Sequence, residues 1–266
     1  MDQSTLGPPR LWPVLVAYVV AFVAIVALSL VAASLLRAMY PDVPDHALFD
    51  GLPGLVAGGL TSSTALVLTV ALFNQPLELA LLRLVPGWET GRALAVMIVG
   101  MLALGQALDS LTVLAGFGDK GALAAIRSAL STAAGPELFL AVLVVGVLAG
   151  SAEELFFRGY MQTRLGQRVE PALAVVVTSL AFGLLHLEWL HALLAFVLGL
   201  YLGWITEVAG SALPAIACHV INNSLFTVLT AFVGTVGGVG PNAALLAVCG
   251  CVFVGSVVWL RRCRTW

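Results

Sequence analysis

The stretch LFLAVLVVGVLAGSAEELFFR, residues 138–158, decides how the chain is read. Up to Gly150 it is an unbroken apolar run of the kind a helix needs to cross lipid, and Pro136 stands where such a helix starts. The same helix then carries Glu153, Glu154 and Arg158 before the polar turn at residues 162–170. Charges therefore sit where lipid should be. Ionisable side chains at that depth are costly unless paired or wetted, and they mark functional sites by default.

Working outward, apolar runs recur on both sides. Residues 11–36 follow a short polar start and far exceed the apolar core of a signal peptide, so they are expected to remain as an uncleaved first span. Further spans are expected over residues 55–73 and 93–115. A longer connection, 116–136, should hold a surface helix at 122–130. After the quoted helix come spans at 171–186, from about 191 to 205, at 215–233 and at 243–260. The short link after His186 is in tension with a full-length fifth span, and the sequence leaves the limits of the fifth and sixth spans open. The expected fold is all-α: a polytopic bundle of about eight transmembrane helices, one integral membrane domain over residues 1–266.

Composition agrees. Of 266 residues, 61% are hydrophobic and 10% charged, against roughly 45–50% and about 25% in a soluble domain. Eight spans of about 20 residues leave only short connections and exclude a large soluble domain. With 12 Lys+Arg against 14 Asp+Glu there is no basic excess to attract nucleic acid, which is not expected as a partner. Cys218, Cys249, Cys251 and Cys263 lie in or just after apolar runs without zinc-knuckle spacing, and read as small core- or lipid-facing residues. The connections place Arg10, Arg83, Arg92, Arg164, Arg168, Arg261, Arg262 and Arg264 on the side of the termini. Only Arg37, Lys120 and Arg127 fall opposite. The positive-inside bias then makes both termini cytoplasmic.

Three polar groups interrupt the apolar runs. Glu154 and Arg158 are an i,i+4 pair with the acid N-terminal, the favourable order. Glu153 points elsewhere and has no helical partner, which suits a general base. The second group is Phe182-Gly-Leu-Leu-His186, an apolar helix ending in a histidine. In the third, His219 and Asn223 share one face of the seventh span, and Asn222 is turned about 100° away as a supporting residue. Glu153 and His186 are equidistant from the turn near residues 168–169, so a helical hairpin brings them to one depth. That depth is expected in the cytoplasmic half of the bilayer, with His219 at a similar level.

With Glu153, Glu154 and Arg158 as Glu-Glu-x-x-x-Arg, Phe182 and His186 as Phe-x-x-x-His, and His219 and Asn223 as His-x-x-x-Asn, the chain resembles the CAAX-protease and bacteriocin-processing (CPBP, or ABI) family of intramembrane endopeptidases. The eukaryotic members of that family are type II CAAX prenyl endopeptidases. The resemblance covers residues 146–226, and helices within 137–233 would carry the catalysis. It implies peptide-bond hydrolysis near the membrane, on prenylated C-terminal substrates in eukaryotic members and on largely unidentified membrane-associated substrates in bacterial ones. Amide hydrolysis needs an activated water, oxyanion stabilisation and a proton for the leaving amine. Glu153 aided by His186 suits the first, His219 with Asn223 the second, and Glu154 with Arg158 would orient and charge-balance the site.

Metal dependence stays open. The family has long been described as metalloproteases, and His186, His219 and Glu153 make a His₂Glu zinc set. Against this, Arg158 already supplies positive charge, no His-Glu-x-x-His helix is present, and Asn223 is an unusual zinc ligand. No cofactor is favoured. Two non-proteolytic readings also stand: a transporter using the buried charges as a proton relay, although no internal repeat is evident, and a membrane scaffold or immunity factor. Oligomeric state leaves no trace in the sequence.

Overall fold

The computed structural model describes residues 11–263. The polar start with Arg10, and Arg264 near the other terminus, lie outside the described residues. The described chain is helical throughout its regular structure: α1 (Trp12–Met39), α2 (Asp45–Phe49), α3 (Leu52–Phe73), α4 (Gly91–Leu114), α5 (Gly121–Ser131), α6 (Gly135–Gly166), α7 (Pro171–Leu184), α8 (Trp189–Ala209), α9 (Leu213–Phe232) and α10 (Val239–Cys263). Seven of these, α1, α3, α4, α6, α8, α9 and α10, are long and apolar enough to cross a membrane. The chain is a multi-pass integral membrane protein, and the expected all-α bundle of about eight spans is borne out. The expected surface helix in the connection before α6 is α5.

The remaining apolar helix, α7, has 14 residues. At 1.5 Å per residue this spans only about 21 Å, less than the roughly 30 Å hydrocarbon core. Its length has a local cause. Leu187 takes a left-handed φ of 59°, and Glu188 then caps α8 by accepting from the backbone N–H groups of Leu190 (3.1 Å) and His191 (2.9 Å). Gly183 lets the two helices close: a Cβ there would stand 2.6 Å from the Ala192 carbonyl oxygen. His186 therefore lies just beyond the helix end, where α7 turns into α8.

Cross-links identify the two ends of the bundle. At one end Arg83 Nη1 lies 2.6 Å from Glu207 Oε1, Ala212 N donates to Arg83 O at 2.8 Å, Arg164 donates to Asn74 at 2.8 Å, and Leu260 packs with Ala93 and Val208. At the other end Arg127 pairs with Asp109 and donates to Gly118 O at 2.8 Å, while Asn242 donates to Val236 O at 2.8 Å. Most of the arginines in the connections belong to the first end.

Helix α6 is continuous but not uniformly wound. Its turns are π-type over Val142–Ala149 and again over Leu155–Gln162, with the α-helical Gly150–Glu154 between them. π-turns within α-helices concentrate at functional sites, and these two bracket the paired glutamates. Between helices in lipid, close packing and hydrogen bonds replace the hydrophobic drive, so small residues set the approach. Gly150 lies against the backbone of His219 and Val220, where a Cβ would sit 3.4–3.5 Å away, and a Cβ on Gly146 would collide with Ser224. These two glycines bring α9 against α6. Gly146→Leu should therefore cost about 1–3 kcal/mol through overpacking, read as a lowered melting temperature in detergent; an unchanged melting temperature would contradict the α6–α9 contact.

Candidate active site

Within α6 the two neighbouring glutamates meet different surroundings because successive residues are about 100° apart. Glu154 turns into the protein, its side chain 0% exposed like that of Arg158; Glu153 keeps 19% exposure. Arg158 Nη1 donates to Glu154 Oε1 at 2.9 Å, as the i,i+4 spacing suggested. The guanidinium also donates from Nη2 to Gly199 O on α8 at 3.0 Å. A Cβ on Gly199 would stand 3.1 Å from that Nη2, so glycine keeps this approach open. Arg158 further lies over the ring of Phe182, 4.9 Å from its centroid, a cation–π contact strengthened by desolvation.

The same Glu154 Oε1 receives His219 Nδ1 at 2.7 Å. That contact orients the imidazole and leaves Nε2 on the opposite edge, 3.6 Å from Glu153 Oε2. One carboxylate oxygen thus holds both a guanidinium and a ring nitrogen, and the second glutamate stands on the far side of that ring. Glu153 and His186, which the sequence reading assigns jointly to a water, line the same cavity, and His219 Nε2 is a further basic group beside Glu153.

Phe182 is the plate between these groups. Its ring contacts Phe157 (5.2 Å), His186 (5.1 Å) and His219 (5.8 Å), all edge-on. His186 Nδ1 is 3.0 Å from Phe182 O, which leaves its Nε2 for other partners. His191 packs against His186 with ring centroids 4.3 Å apart. Asn223 makes a long contact of 3.5 Å from Nδ2 to Val145 O in the π-wound part of α6, and Asn222 donates to Asn223 Oδ1 at 3.3 Å.

Glu153, His186, His219 and Asn223 line one cavity of about 770 Å³, whereas Glu154 and Arg158 stand behind its wall. The cavity is mainly apolar, with a few converging polar groups, as ligand sites are. It also brings in residues the sequence reading did not assign: His191, Gln106 and the Asp109–Arg127 pair. Of these, His191 stands five positions after His186 across a non-helical link, a spacing that no helical periodicity would single out. As for zinc, Glu153, His186 and His219 are not gathered into a ligand set: among the described residues no three His, Cys, Asp or Glu side chains meet closely enough to hold a metal ion. His219 Nδ1 is also already engaged by Glu154.

Residues 135–225 match the family model described as type II CAAX prenyl endopeptidase Rce1-like. No curated protein and no solved structure gives a match. The family resemblance read from the three motifs is thereby borne out, and the matched segment runs from the start of α6 into α9, taking in every motif residue. By that description the matched family is one of endopeptidases.

The geometry separates the glutamates experimentally. Glu154→Gln leaves Arg158 as an uncompensated buried charge and should lower stability by about 3–5 kcal/mol. Glu153→Gln, on the cavity surface, should leave thermal unfolding close to that of the parent. Equal melting temperatures for the two variants would contradict the assignment of the buried pair.

Proposed function

We propose that the chain is an intramembrane endopeptidase in which Glu153 activates the attacking water. It acts as a single membrane domain whose catalytic side chains are carried on the helices within residues 137–233. The observation that carries the reading is the shared Glu154 Oε1: it binds Arg158 at 2.9 Å and His219 Nδ1 at 2.7 Å, so that His219 Nε2 and Glu153 are left to the cavity.

In this mechanism a water held by Glu153 and His186 gives a proton to the Glu153 carboxylate as its oxygen adds to the scissile carbonyl carbon. The carbonyl π pair moves to oxygen. Asn223 Nδ2 and the Nε2–H of a protonated His219, whose Nδ1–H is held by Glu154, donate to that oxyanion. When the tetrahedral species collapses, the C–N bond breaks and Glu153 returns its proton to the departing amine. Arg158 acts through Glu154 and is a positioning residue. No step runs through a metal, because the ligand candidates are not assembled as a set.

A transporter or scaffold would hold the same residues without cleaving anything, so cleavage is the deciding readout. Purified protein incubated with a library of membrane peptides should release products, and Glu153→Gln should abolish them. Full turnover in Glu153→Gln would overturn the choice of base, while Glu153-dependent ion flux without cleavage would favour a relay.

For Asn223→Ala the expected effect is on kcat rather than KM, because an oxyanion donor binds charge chiefly in the transition state. Loss of one such donor costs about 10²–10³ in rate. A raised KM with unchanged kcat would instead make Asn223 a substrate-binding residue. Protein purified in chelator should remain active; activity lost with the metal and restored by stoichiometric zinc would refute the metal-free mechanism.

A further inference from the structure

The cavity that ends at Glu153 is one-sided. Its floor is formed by Glu153 and His219, and its walls rise through Gln106 to Asp109, Arg127 and Thr235. From central positions such as Val99, Glu153, His219 and Val252 the lining extends towards one end. On α3 the lining begins at Leu55, on α4 it reaches Asp109, and from α9 it continues past Val233 into the connection at Thr235. Among the described residues, none from the neighbourhood of Arg83, Arg164 or Arg168 contributes to it.

The opposite end is sealed by polar cross-links. Gln162 Nε2 donates to Gly203 O at 3.0 Å and to Glu207 Oε1 at 2.8 Å, and Glu207 Oε1 also receives Arg83 at 2.6 Å. Trp88 closes the same region by donating to Val208 O. Between this seal and the glutamates lie the fully buried rings of Phe156 and Phe157. From Glu153 to the end of α6 at Gly166 is about 20 Å of helix, with no part of the cavity along it.

The two ends also differ in basic charge. Arg83, Arg92, Arg164, Arg168, Arg261 and Arg262 belong to the sealed end, and Arg37, Lys120 and Arg127 to the open one. Of the latter, Arg37 and Arg127 are each paired with an aspartate. The positive-inside bias, which counts Lys and Arg near span ends, puts the sealed end in the cytoplasm.

We propose that the catalytic cavity opens to the non-cytoplasmic face of the membrane, and that its substrates are membrane-anchored peptides which present the scissile bond from that face with apolar residues against the cavity wall. The proposal deepens the peptidase reading and rests on it for the word substrate; the direction of opening stands on geometry and charge alone. The site is thereby set apart from one fed by lipid-modified tails made in the cytosol. Gln106, Asp109 and Arg127 give the passage polar footholds by which water reaches Glu153.

Cysteine accessibility tests this without any turnover. Thr235→Cys at the mouth, Gln106→Cys in the wall and Gln167→Cys in the exposed turn after α6 would each be expressed in cells. Each variant is treated with a membrane-impermeant maleimide in right-side-out spheroplasts and in inverted vesicles. Labelled positions are read by mass mapping, so the native cysteines can stay. Asp119→Cys serves as a second reporter of the open end should Thr235→Cys fold poorly. The expected result is label at Thr235→Cys and Gln106→Cys in spheroplasts, with loss of label at Gln167→Cys until the vesicles are inverted. Label at Gln167→Cys in spheroplasts, or at Gln106→Cys only in inverted vesicles, would overturn the proposal. Because the labelling needs no turnover, the two readings fail separately: the expected pattern in a wild-type protein that cleaves no peptide preserves the opening and defeats only the peptidase assignment.

Discussion

The burial of Glu154 against Arg158 is the constraint on which the rest of the site depends. Two charges removed from water lose several kcal/mol of solvation each, and their mutual attraction offsets this only with good geometry and further hydrogen bonds. Here those further partners come from other helices: the Gly199 carbonyl on α8, the face of Phe182 on α7 and the imidazole of His219 on α9. Partnering Glu154 Oε1 and the Arg158 Nη groups therefore fixes where three neighbouring helices must stand. The glycines follow from the same demand, since Gly199 opens room for the guanidinium and Gly150 lets the backbone carrying His219 come close.

From that arrangement the chemical asymmetry of the site follows. Glu154 has one carboxylate oxygen occupied inside the protein, while Glu153, one residue earlier and about 100° round the helix, faces the cavity. His219 links them, with one ring nitrogen given to the buried carboxylate and the other turned to the exposed one. A rigid inner layer of Arg158, Glu154 and Phe182 thus presents an outer layer of Glu153, His186, His219 and Asn223. This division suits catalysis, which rests on groups held ready rather than rearranged during the reaction.

Much of this was legible in the sequence because it depends on local periodicity. Runs of about 20 apolar residues announce the spans, and the Glu154–Arg158 contact follows from i,i+4 geometry. The three motifs in order on membrane helices point to the family. What sequence spacing could not carry depends on how helices meet. Gly146 and Gly150 looked like two glycines among 27 in the chain, and only the contact with α9 separates them from the rest. His191 reaches His186 because Leu187 turns the chain through a positive φ. The π-wound stretches of α6 alter the facing of residues without any composition that marks them. The direction of the cavity arises from seven helices and two connections, which no single segment encodes.

The central claim is that one oxygen of Glu154 holds His219 by Nδ1. The most direct measurement is the imidazole Nδ1–H proton resonance of His219 in ¹⁵N-histidine-labelled protein, identified by its disappearance in His219→Asn. The account predicts a strongly downfield proton that persists in Glu153→Gln and moves upfield in Glu154→Gln, where the acceptor has lost its charge. A His219 Nδ1–H signal that is unaffected by Glu154→Gln, or one that shifts only in Glu153→Gln, would contradict it.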